Sequence, residues 1–296
     1  MTNVADFRPV YFQTNDGLRL FARVHSSTHS TLTPLLCLPG LTRNGKDFET
    51  LAPWLARTRC VIAPDFRGRG LSQYAKNPVS YRPDVELADM IGLLNFLKID
   101  RVAVIGTSRG GIVGMLMAAL HRDKLAGLFL NDIGPELELA GLLRIRTYLG
   151  VRQKFESWDA AIASLKSNNP GFQSLAADAW DAFAHRVYKS VNGLPCADYD
   201  MALADTFPTA EEIKAGGVAS LWELFASTAA LPVSVLRGEH SDLLAPATVT
   251  RMKEINADLV ATTVSNRGHA PFLDETESSE AILRWLERVD TQEKVR

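Results

Sequence analysis

Gly106-Thr107-Ser108-Arg109-Gly110 sets a serine between two glycines. The β-branched run Val102–Ile105 leads into it, and an apolar, helix-compatible stretch from Gly111 to Leu120 follows. A strand that turns through Gly-x-Ser-x-Gly directly into a helix lifts the serine hydroxyl clear of the backbone. It also sets that hydroxyl at a helix N-terminus, which favours negative charge nearby. Ser108 is therefore the candidate nucleophile. The competing reading is a glycine-rich phosphate turn, but neither Gly-x-Gly-x-x-Gly nor a Gly-x-x-x-x-Gly-Lys-Ser/Thr loop occurs.

A serine hydroxyl needs a base, and the base needs an orienting acid. Of the six histidines, His25 and His29 lie near an N-terminal hairpin, His121 near a helix end and His185 within a helical stretch. His240 and His269 follow apolar strand-like runs, where parallel-sheet sites are built. His269, in Asn266-Arg267-Gly268-His269-Ala270-Pro271-Phe272, can reach back over the sheet to Ser108 and is the expected base, whereas His240 reads as a surface residue. For the acid, Asp242 is the choice, in Leu236-Arg237-Gly238-Glu239-His240-Ser241-Asp242 after the penultimate strand. Glu239 in the same loop and Asp132, after Leu128–Leu130, are its competitors.

The elements that must carry these residues follow from hydrophobic patterning. Val10–Thr14 and Leu18–Val24 around Asn15-Asp16-Gly17 read as a β-hairpin. Leu35–Leu38, Cys60–Ala63, Val102–Ile105 and Leu128–Leu130 read as buried strands, with helices at Pro83–Leu97 and Gly111–Leu120 between them. Such alternation predicts a mostly parallel sheet covered by helices on both faces. From Pro135 to Ala230 the pattern is helical with no convincing strand, punctuated at Asn168-Asn169-Pro170-Gly171 and Asn192-Gly193-Leu194-Pro195. The sheet pattern resumes at Pro232–Leu236 and Leu259–Val264, with helices at Thr248–Ile255 and Ser278–Val289. The expectation is an α/β core over 1–134 and 231–296 and an inserted all-helical cap over 135–230. The cap is rich in aromatics, among them Tyr148, Phe155, Phe183, Tyr188, Tyr199, Trp222 and Phe225. Most are expected to pack the helices, and a minority to line a pocket above Ser108.

The 296 residues carry 32 Lys+Arg against 34 Asp+Glu, a net charge of −2, which argues against a nucleic-acid or anionic-membrane binder. The 46% hydrophobic and 22% charged content excludes disorder and low complexity. Three widely spaced cysteines, Cys37, Cys60 and Cys196, argue against a disulfide framework or cysteine-ligated zinc, and Cys37 and Cys60 read as buried core. The opening residues MTNVADFRPVYF show neither an apolar leader core nor an Arg-rich amphipathic stretch. A cytoplasmic location, no membrane association and a monomer or homodimer are expected.

Taken together, the order Ser108…Asp242…His269, the strand–serine–helix turn and the helical insertion resemble the α/β-hydrolase superfamily. Cys37-Leu38-Pro39-Gly40-Leu41 is similar to the family's oxyanion loop. Pro64-Asp65-Phe66-Arg67-Gly68-Arg69-Gly70-Leu71-Ser72 and Gly268-His269-Ala270-Pro271 are similar to two further family motifs. The resemblance spans nearly all of the chain outside the cap. It implies a sheet of about eight strands and a two-step acyl transfer through a Ser-His-Asp triad, with no cofactor and no metal. It further implies that the backbone N–H groups of Leu41 and Arg109 form an oxyanion hole. Serine at position 108 argues against the dehalogenases and epoxide hydrolases of this fold, which place aspartate there. Thr107 and Leu41-Thr42-Arg43-Asn44 depart from the C–C bond hydrolases. A carboxylesterase or lactonase acting on a small molecule is therefore favoured. C–C hydrolase, cofactor-free perhydrolase, acyltransferase and non-catalytic binding protein are the alternatives. The side chains of Arg109, Arg43 and Arg67 read either as ion-paired scaffold or as cations near an anionic substrate, with Arg67 on the structural side.

Overall fold

The computed structural model describes residues 7–26 and 30–295. His29, and the first six residues of the stretch read for a leader, lie outside the described residues. In chain order the strands are β1 (Arg8–Gln13), β2 (Arg19–His25), β3 (Leu35–Leu38), β4 (Val61–Asp65), β5 (Val102–Thr107), β6 (Leu125–Asn131), β7 (Tyr188–Val191), β8 (Leu194–Ala197), β9 (Val233–Gly238) and β10 (Val260–Val264). The helices are α1 (Leu51–Leu55), α2 (Pro83–Leu97), α3 (Arg109–Leu120), α4 (Leu139–Tyr148), α5 (Trp158–Asn168), α6 (Ala177–Val187), α7 (Ala210–Lys214), α8 (Trp222–Ala226), α9 (Pro246–Ile255) and α10 (Thr276–Val295).

Eight strands form one sheet in the order β1-β2-β4-β3-β5-β6-β9-β10. Only β2 runs against its neighbours, and every other pairing from β4 to β10 is parallel. The central strands are buried on both faces, and their side chains alternate between two cores. Leu36, Leu38, Val102 and Val104 face a core built with α2, α3 and α9. Leu35, Cys37, Ala103 and Ile105 face the core of α1 and α10, where Trp285 is fully buried and its Nε1 donates to the Pro232 carbonyl at 2.9 Å. Each strand end of this parallel stack points its connecting loops at one rim, and the candidate site is assembled there.

Between β6 and β9 the chain runs through α4 to α8, and here one expectation needs correction. The insertion is not all-helical: β7 and β8 form an antiparallel hairpin with Tyr188 opposite Ala197. Asn192 and Gly193, read as a break between helices, are its two-residue turn, with φ of 53° and 84°. Positive φ at both central residues is the geometry that hairpin twist demands and that Asn-Gly supplies. The helices of the insertion pack partly on the main core and partly on one another. Leu142, Ile145, Ile213 and Phe225, from α4, α7 and α8, belong to the main core. A separate cluster joins α5 and α6 through Ala161, Leu165, Phe172, Trp180, Phe183 and Tyr188. Cys60 is half-buried rather than fully buried, and all three cysteines are free thiols. Among the described residues no helix is long and apolar enough to cross a membrane.

Candidate active site

The turn between β5 and α3 holds Ser108 at φ 50° and ψ −112°, a left-handed backbone for a non-glycine residue. Strain of this kind costs on the order of 1–3 kcal/mol and persists where the surroundings over-determine it. They do so here through the flanking glycines. A Cβ on Gly106 would lie 2.5 Å from the Gly110 backbone, and one on Gly110 would lie 2.2 Å from the Leu38 carbonyl oxygen. Only glycine permits β5, the turn and β3 to close this tightly.

His269 comes from the loop between β10 and α10. Ser108 Oγ donates to its Nε2 at 3.0 Å, and its Nδ1 donates to Asp132 Oδ2 at 2.8 Å; these two bonds define the ring tautomer. The expectation of Asp242 as the acid is thus corrected. Asp132, the competitor at the end of β6, is the carboxylate against the imidazole, and it is fully buried. Its Oδ1 accepts from the Gly238 N–H at 2.8 Å, and its Oδ2 also accepts from Ser241 Oγ at 2.6 Å. The loop after β9 therefore contributes Ser241, not Asp242, to the site. The physical reason lies in the insertion. Arg144 of α4 takes both carboxylate oxygens of Asp242, at 2.5 and 2.8 Å, and Asp242 makes no hydrogen bond to the ring. Burial alone would raise the Asp242 pKa, but this bidentate pair overrides it and holds the group below the usual carboxylate range. The third acid considered, Glu239, is half exposed and accepts from the Asn266 N–H.

The loop after β3 brings Gly40 and Leu41 beside Ser108, since a Cβ on Gly40 would lie 3.9 Å from Ser108 Cβ. Arg109 opens α3, so its N–H is one of the first-turn donors that an α-helix leaves without an internal acceptor. The side chain of Arg109 turns away from the cavity: Nε pairs with Glu86 at 2.7 Å and Nη2 donates to the Tyr81 carbonyl at 2.8 Å. Arg67 is likewise scaffold, bonded to Asp89 and Asp16. Arg43 lines the cavity but is engaged by both oxygens of Asp47. His240 is half exposed, and His185 stacks on Trp158 at 3.9 Å at the surface, while His25 is buried in the first hairpin.

Ser108 and His269 open on a cavity of about 170 Å³. Leu41, Thr42 and Pro271 wall it from the core side; Tyr148, Phe155, Leu165, Phe183, Tyr188 and Tyr199 wall it from the insertion. Five of the insertion's aromatics thus face the cavity, whereas Phe225 is fully buried against the core. Phe272, three residues past His269, stacks on Phe172 at 5.1 Å and meets Phe183 at 4.7 Å, so the insertion grips the loop that carries the imidazole. A mainly apolar chamber of this kind suits a small organic substrate.

Among known proteins, the family model described as alpha/beta hydrolase fold matches residues 33–276. The 3-hydroxybutyrate-oligomer hydrolase of Cupriavidus necator is 35% identical over 246 residues, covering 81% of this chain and 84% of that protein. The 2-(acetamidomethylene)succinate hydrolase of Mesorhizobium japonicum is 29% identical over 239 residues, covering 79% and 81%. The crystal structure of an alpha/beta hydrolase from Novosphingobium aromaticivorans superposes with a TM-score of 0.88 at 39% identity, over 96% of this chain and 99% of that one.

Proposed function

Because this chain belongs to the alpha/beta-hydrolase fold family, we propose that it is a serine hydrolase of a small carboxylic ester or lactone, with Ser108, His269 and Asp132 as its triad. The observation that carries the reading is the unbroken hydrogen-bonded line from Ser108 Oγ through His269 to Asp132, opening on the apolar cavity. His269 Nε2 takes the hydroxyl proton as Ser108 Oγ bonds to the carbonyl carbon. Asp132 keeps Nδ1 protonated and stabilises the imidazolium that forms. The backbone N–H groups of Leu41 and Arg109 receive the oxyanion, each such donor being worth about 3 kcal/mol in the transition state. Collapse of the tetrahedral species expels the alkoxide, which takes the proton from His269. Water, deprotonated by the same ring, then releases the acid and frees Ser108.

The insertion over 135–230 is read as a cap that supplies most of the acyl-contacting surface. The kinship to a 3-hydroxybutyrate-oligomer hydrolase supports ester cleavage, since such oligomers are chains of ester bonds. The deciding experiment offers the enzyme 3-hydroxybutyrate dimer, 4-nitrophenyl esters, lactones and ring-fission diketones, with Ser108→Ala as control. Turnover of esters or lactones by the wild type, lost in the variant, supports the reading. Turnover confined to the diketones replaces it with C–C hydrolysis, and wild-type-like ester turnover by Ser108→Ala removes Ser108 from the chemistry.

A further inference from the structure

Arg186, one residue from the end of α6, lies in the wall of the Ser108 cavity, and its charge is paired only loosely, with no hydrogen bond. Its side chain is only 8% exposed. Among the described residues its guanidinium makes no hydrogen bond, and its Nε is sealed from solvent without a partner. The nearest carboxylate oxygen is Asp274 Oδ2, 3.9 Å from Nη1 and beyond hydrogen-bond range. The ring of Phe272 lies 4.9 Å from Cζ. Partial burial and the neighbouring Glu275 push the Asp274 pKa upward.

The other arginines around the site are matched. Arg43 has both oxygens of Asp47, Arg109 has Glu86, and Arg144 has both oxygens of Asp242. A buried cation with unused donors is costly in a folded protein. The apolar surroundings that make it costly also strengthen any anion that meets it. Leu165, Phe155, Phe183 and Val187 line the same chamber, together with the polar side chains of Gln153, Asn168 and Asn169. A guanidinium presents its donors in a planar fork that matches a carboxylate better than any neutral group.

We propose that Arg186 is the carboxylate-binding residue of this cavity and that the preferred substrate is an anionic ester: an ester whose acid or alcohol part carries a second, free carboxylate. The proposal rests on the ester-hydrolase reading for its substrate class, but the binding of the carboxylate can be read separately. The probes are 3-acetoxybutyrate, a small ester with a free carboxylate, and its primary amide, a neutral molecule of the same shape. Calorimetry on the intact chain bearing Ser108→Ala is expected to find the acid bound roughly 10- to 100-fold more tightly than the amide. Adding Arg186→Gln is expected to shrink that ratio to within about threefold, and Arg186→Lys to restore part of it, the charge being kept and the fork lost. Equal affinity for acid and amide in the Ser108→Ala protein, or no measurable binding of either, overturns the proposal, and this arm stands even if Arg186→Gln fails to fold. Turnover of neutral 4-nitrophenyl butyrate by the wild type, without an acid-over-amide preference, also overturns it while leaving the ester-hydrolase reading in place. An acid preference in binding, with no ester of any charge turned over, overturns that earlier reading instead.

Discussion

Glu86 Oε2 lies 2.7 Å from Arg109 Nε, while its other oxygen is 2.8 Å from Arg69 Nη1. Arg69 Nε in turn donates to the Leu41 carbonyl at 2.8 Å. The two residues proposed to receive the oxyanion, Leu41 and Arg109, are therefore tied to a single fully buried carboxylate on α2. Burial opposes its ionisation, but the two guanidiniums prevail and hold its pKa below the usual range.

Replacing Glu86 by Gln leaves two guanidiniums facing a neutral amide. Breaking a buried pair in this way costs about 3–5 kcal/mol of stability. Loss of the tether is expected to lower kcat by about 10- to 100-fold with little change in KM, because the donors act on the tetrahedral species. Denaturant unfolding and steady-state kinetics below the melting range check both parts. An unchanged kcat in folded protein means that the tether does not set the donors.

The exchange of acids between sequence and structure has a direct kinetic test. Asp132→Asn is expected to lower kcat by about four orders of magnitude, since an amide stabilises the wrong imidazole tautomer. Asp242→Asn is expected to cost less than about tenfold, because its carboxylate serves Arg144 and not the ring. The opposite ranking would return the acid to the loop after β9.

The Asp242–Arg144 pair also predicts a pH signature. The folded pKa is depressed, so folding favours the ionised form. Its stabilisation is complete above the unfolded carboxylate's value of about 4 and is lost as pH falls through the lower folded value. The wild type is expected to melt about 2–4 °C above Asp242→Asn near neutrality, with the gap closing below about pH 4. Calorimetric melting of both proteins from pH 7 downward measures it; a gap that widens in acid contradicts the assignment.

The aromatics of the insertion divide into two kinds of variant. Phe155→Ala and Tyr199→Ala, in the cavity wall, are expected to change kcat/KM unequally between short and bulky esters, by about 1–3 kcal/mol for the group contacted. Phe225→Ala, in the core, is expected to lower stability by about 3–5 kcal/mol and to scale all esters alike. A substrate ratio that moves by less than about threefold in both cavity variants assigns specificity to the loop after β3 instead.

What could be read from the sequence follows how local each determinant is. Strand-to-helix patterning around Ser108 and the run to Pro271 after the last strand are local, and the structure brings Ser108 and His269 together. The hairpin of β7 and β8 carried its Asn-Gly signal openly; its four-residue strands, one with Pro195, were too short to show alternation. The acid depended on a distant residue. Nothing near position 242 announces that Arg144, on a helix of the insertion, occupies its carboxylate. A signal for Asp132 did exist: it directly follows β6, which lies between the serine's strand β5 and β9 in the sheet. Arg109 shows the same dependence, since its partner Glu86 lies on another helix.

The sheet order also sets the hazards of synthesis. All seven residues of β6 are buried, one edge pairs with β5, and the other waits for β9. That partner leaves the ribosome only after the whole insertion has been translated, so a growing chain displays an apolar strand with an open edge for the length of α4 to α8. A nascent chain halted at Ala230 is expected to be captured by chaperones or to sediment with aggregates, whereas one released past Val289 stays in the supernatant. His269 emerges later still, so the proposed triad comes together only after the edge has been sealed.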